Sequence, residues 1–119
     1  MATGNRYEEV PPSSRAALAT ALLEGDFESA AERLLGVVLH DGDWRWCQDR
    51  CLALVDHESE AVRRIAVLGL GHLARLHRQL DVPHVVPRLR ELLNDPVLGG
   101  AAEDALDDIA VFLPDPEPG

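Results

Sequence analysis

Residues 62–73 read VRRIAVLGLGHL. The aliphatic side chains Val62, Ala66, Leu70 and Leu73 recur at steps of three and four, the spacing of one face of an α-helix. A displacement of 36 residues carries this face onto two other stretches: Ala66 maps to Ala30 and Ala102, Leu70 to Leu34 and Leu106, and Leu73 to Val37 and Ile109. The slot one turn before the last of these holds Arg33, Gly69 and Ala105, small in two of three cases. A face repeated at fixed period marks supersecondary units that stack, each burying its apolar stripe on the next.

Helix punctuation divides the rest of the chain into the same units. Ser13 or Ser14 caps a helix reaching about Glu24, which Gly25 stops, and Asp26 caps a second to about His40. Asp43 caps a third through about Asp56, and Ser59 a fourth reaching about Leu80. Asp81 with Pro83 opens a fifth, and Asp95 with Pro96 a sixth that ends near Leu113. No stretch reads as a strand. The expectation is an all-α protein of six helices in three stacked antiparallel hairpins, spanning 13–113, with flexible segments at 1–12 and at the Pro-rich acidic tail 114–119.

Composition agrees with helices packed through aliphatic side chains: Leu and Ala occupy 34 of 119 positions, the aromatic residues only five. All 11 basic residues are Arg. The net charge of −10 argues against a nucleic-acid binder, which needs a basic face. The charge is also segregated. Residues 95–119 carry seven acids and no base, whereas residues 61–90 carry six Arg against Asp81 alone. Such polarity steers partners more than it shapes a fold. The start of the chain lacks the basic and apolar regions of a secretory signal, and no apolar run is long enough to cross a bilayer, so a cytoplasmic location is expected. Cys47 and Cys51, four apart on one helix, read as buried reduced thiols.

The stretch Val62–Leu73 resembles the second helix of a HEAT repeat, with its Val-Arg, its Ala three residues on and its small residue beside Leu. NDPVLGGAAEDALDDI, ending at Ile109, is similar, but Gly99 stands where that pattern has Arg. More narrowly, DWRWCQDRCLALVDH together with GHLARLH and the acidic sixth helix resembles small bacterial HEAT-like proteins, a group associated with immunity proteins of polymorphic and contact-dependent inhibition toxin systems. The resemblance implies a stacked binding scaffold whose second helices line a concave surface, and a protein partner that is a toxin domain.

Candidate contact residues follow from the periodicity. Arg64, His72 and Arg75, with Val67 and Gly71, lie on the side of the fourth helix away from its aliphatic face. On the sixth, Asp104, Asp107 and Asp108 stand beside Leu68, Gly71 and His72 after the 36-residue displacement. These acids either pair internally, Asp108 with His72 and Asp104 with Arg64 or Arg75, or face a basic partner surface. Trp46 stands about 200° from Trp44 around the third helix, so the two cannot share one core. It either packs on the first repeat or serves as an interface anchor. No nucleophile, phosphate loop or paired-acid cleft is legible, so no enzyme and no cofactor are expected. His57-Glu58 resembles the His-Glu pairs of HEAT-like iron hydroxylases but stands alone, and His72 and His77 diverge on their helix, so no metal site is expected either. Two functions stay open: an immunity-like inhibitor acting through its acidic C-terminal repeat and concave surface, and a general adaptor binding a peptide or protein on the Arg64–His72–Arg75 strip; a metal-dependent HEAT-like enzyme is a remote third. The residues set no oligomeric state.

Overall fold

The computed structural model describes residues 10–113. Of the expected flexible segments, 114–119 and all but the end of 1–12 lie outside that range. Val10 and Pro11 run along the second helix, where the Val10 carbonyl is 2.7 Å from His40 Nε2.

The described residues form six helices: α1 (Arg15–Glu24), α2 (Phe27–His40), α3 (Trp44–Leu54), α4 (Glu60–His77), α5 (Val82–Glu91) and α6 (Gly99–Phe112). Their starts are capped largely as the sequence implies. Ser14 Oγ accepts from the Ala17 amide at 2.9 Å, Asp26 from Ser29, Asp43 from Trp46 and Ser59 from Val62. Each cap occupies one amide left without a partner in a first helical turn. Gly25, at φ 74°, closes α1 in the left-handed region that only glycine enters without strain.

Two boundaries differ from expectation. α4 ends at His77, where Arg78 turns left-handed at φ 55°, three residues before Leu80. α6 begins at Gly99, because Asp95 Oδ1 binds the amides of both Val97 and Leu98 and holds 95–98 in a separate turn.

α1 packs on α2, α3 on α4 and α5 on α6, forming three hairpins; α4 lies between α2 and α6 and touches both extensively. The 36-residue repeat is therefore spatial. Ala30, Ala66 and Ala102 are all fully buried, as are Leu34 and Leu70, and Val37, Leu73 and Ile109 are buried at the next position. Leu106 is only half-buried, as befits the last helix of the described stack.

Two glycines set how closely α4 is approached. A Cβ on Gly69 would stand 2.9 Å from Cys51 Sγ on α3 and 3.3 Å from Val38 on α2. A Cβ on Gly71 would stand 3.0 Å from the Ala105 Cα of α6. Gln48, buried on α3, adds a polar tie: its side-chain carbonyl accepts the Asp81 amide at 2.6 Å, fixing the turn into α5.

Gly71→Val forces a side chain against the backbone of α6 and should destabilise the protein by about 1–3 kcal/mol in urea unfolding. A Cβ on Gly100 would meet nothing within 4 Å, so Gly100→Ala should instead stabilise by about 0.5 kcal/mol. Gln48→Leu leaves the Asp81 amide without its acceptor and should cost about 1–3 kcal/mol in the same assay.

Candidate partner-binding surface

The outward sides of α2, α4 and α6 form one wall, because those three helices lie side by side. On α6 the side chains Glu103, Asp104 and Asp107 are exposed, and none of the ion pairs among the described residues involves them. No acid lies in the first turn of α6, so the helix dipole does not account for the cluster. Asp108 sits lower, half-buried over Gly71, where a Cβ would meet its Oδ2 at 2.9 Å. Burial pushes the Asp108 carboxyl above the usual carboxylate range; Asp104 and Asp107 push the same way, and Arg75 opposes them.

Arg64 is exposed on α4 and meets Glu60 of its own helix at 3.8 Å, rather than Asp104. His72, expected on the outer strip, is only 6% exposed. Val67 and Gly71 are buried as well. The cause is geometric: with α2, α3 and α6 all packed on α4, only Arg64, Leu68 and Arg75 of the expected strip and its flank stay accessible. The His72 ring nitrogen Nδ1 is 3.3 Å from Arg75 Nη2, and Asp108 lies over the neighbouring Gly71. Burial, helped by the Arg75 charge, lowers the His72 imidazole from 6.5 to about 4.

Trp46 is half-buried on the first hairpin, stacked between two guanidinium groups: Arg15 lies 4.3 Å and Arg50 5.0 Å from the ring centre. Such stacking suits a delocalised cation on an aromatic face. Arg15 is held in place by a two-point pair with Asp41, at 2.9 and 3.1 Å, and by Asp43. Trp46 thus belongs to a latch between α1 and the α2–α3 turn, at the hairpin farthest along the chain from the acids of α6.

One part of the wall beyond α6 escapes the helical periodicity. Glu28 and Glu32 project from α2 and, with Glu60, edge an open groove between α2 and α4. Glu32 and Asp104 hold the same repeat position, since both correspond to Leu68. That register was the available signal, and it was masked because α4 interrupts the row with an apolar side chain.

The two cysteines are inert at neutral pH. Burial raises the Cys47 thiol to about 11 and Cys51 further, so neither is a thiolate there. Among the described residues no group of three His, Cys, Asp or Glu side chains is placed to hold a metal, and no helix is long and apolar enough to cross a membrane.

Over the described residues, the fold is an all-helical stack of three hairpins, with Glu103, Asp104 and Asp107 exposed on its last helix. No protein-family profile and no curated protein matches the chain. A solved structure does: one chain of the crystal structure of a CDI complex from Cupriavidus taiwanensis LMG 19424 is 30% identical, with TM-score 0.76, over 94% of this chain and 96% of that one. This chain belongs to the same family as that component of the CDI complex.

His72 makes stability depend on pH in a defined direction. Below pH 6.5 the unfolded imidazole binds a proton that the folded one refuses until about pH 4. Stability should be complete above pH 6.5 and fall by about 2–3 kcal/mol as pH drops toward 4, as urea titrations at stepped pH would read. Asp108, raised on folding, contributes with the opposite sign at the acid end. His72→Phe should flatten the profile between these limits.

Proposed function

We propose that this chain is an immunity-type protein of a contact-dependent inhibition system, which binds and occludes a toxin domain through the acidic wall of its last repeat. The observation that carries the reading is the 30% identity, over nearly the full length of both chains, to a component of a CDI complex. Membership of a complex supports a role in binding a protein partner.

The energetics of α6 favour the same use. Glu103 and Asp107 stand four residues apart, as do Asp104 and Asp108, and like charges at that spacing destabilise a helix. Among the described residues, no ion pair relieves the exposed members. Repulsion of this kind, kept on a helix with no compensating base, is offset when a cationic surface docks on it. Toxins that act on nucleic acid carry basic substrate grooves, and an acidic wall complements one. The alternative use, a peptide held along Arg64, His72 and Arg75, has less support, since His72 is buried.

The test uses a candidate toxin domain sought among the genes flanking that of this chain, purified and inactivated by substitution. Titration calorimetry should give a one-to-one complex. Asp104→Arg/Asp107→Arg, two exposed positions whose reversal leaves the core alone, should weaken it by about 10- to 100-fold and flatten its salt dependence. Unchanged affinity in that double variant means the acidic wall of α6 is not the binding surface.

A further inference from the structure

Between α2 and α4, on the same wall, lies an open groove of about 560 Å³. Its apolar lining is Ala31, Ala61 and Ile65, two small side chains and one branched one. Its edges carry three carboxylates, Glu28, Glu32 and Glu60, against the single guanidinium of Arg64.

We infer that this groove is a second docking region, which takes a basic segment of the partner carrying one apolar anchor side chain; the inference rests on the protein-binding reading above. Charge and shape both specify that occupant. An apolar side chain fits the floor formed by Ala31, Ala61 and Ile65, and flanking Lys or Arg groups fit the carboxylates at its edges. An acidic segment would meet a net negative rim, and an uncharged one would leave the carboxylates partly desolvated and unpaired.

Local structure does not explain the rim. Glu28, in the first turn of α2, is favoured by the helix dipole, but Glu32 is beyond it and repels Glu28 at the four-residue spacing. Neither takes part in an ion pair among the described residues. Glu60 meets Arg64 only at 3.8 Å, with both side chains about half exposed, so an incoming cation can replace that contact at little cost. Because Glu32 shares its repeat position with Asp104, the groove and the acids of α6 form one surface divided by the Arg64–Leu68–Arg75 ridge.

Two variants test the groove without touching α6. Ala61→Trp fills the floor from an exposed position, and Glu28→Lys/Glu32→Lys reverses the rim; circular dichroism and thermal melts establish that each folds. Against the same inactivated toxin domain, each should weaken binding by about tenfold or more, as truncating or blocking an interface anchor does. The filled variant should lose affinity equally at low and high salt, and the reversed one mainly at low salt. If both bind within about twofold of the parent while Asp104→Arg/Asp107→Arg fails to bind, the groove inference is overturned and the acidic-wall reading stands. If the parent chain itself forms no complex with the toxin domain, both are overturned.

Discussion

Everything in this fold depends on how closely α4 is approached from both sides. Gly69 admits Cys51 and Val38, and Gly71 admits the backbone of α6, so three helices crowd one. Close approach of that kind maximises dispersion contacts per helix, and it leaves little surface on the helix that receives it. The buried, neutral His72 and the half-buried Asp108 follow directly. Both are polar groups on what a free helix would count as its solvent side, drawn inward because the neighbours on either flank come so near.

The same packing sorts the charges. Several of the eleven arginines are engaged where helices meet turns: Arg15 binds Asp41 and Asp43, Arg88 joins Asp56 and Glu91, and Arg63 donates to the carbonyls of His57 and Glu58. Arg15 and Arg88 also neutralise acids at the junctions between elements. The acids on the outward sides of α2 and α6 have no such service to perform. Exposed carboxylates without an ion pair among the described residues therefore gather on the outward sides of these two helices.

The repeat was legible in the sequence because burial in a stack is periodic: Ala30, Ala66 and Ala102 must all be small for the same reason, and the chain records that reason three times. Caps were legible because Ser14, Asp26, Asp43 and Ser59 act on amides three residues away. The start of α6 was not, since an Asp-Pro pair opens a turn as readily as a helix and only the two amides bound by Asp95 decide between them. His72 was misplaced for a different reason. Helical periodicity assigns a side chain to a face, but how wide the buried face becomes depends on how many neighbours arrive, and a single helix does not encode that number. The groove between α2 and α4 was hidden likewise, for it belongs to neither helix alone.

The two parts of the wall would act on different steps of binding to the proposed partner. Exposed carboxylates on α6 project a field that reaches about 8–10 Å at ordinary ionic strength, and such charges chiefly accelerate encounter. The apolar floor of the groove, unlike its carboxylate rim, exerts no pull at a distance; it acts once contact is made and water has left, and so governs how long the complex lasts. Steering without a seat gives fast exchange, and a seat without steering gives slow capture. An inhibitor that must reach an incoming toxin quickly and then hold it needs both, and a stack of hairpins supplies them together, since its side-by-side helices present ridge and groove on one continuous face.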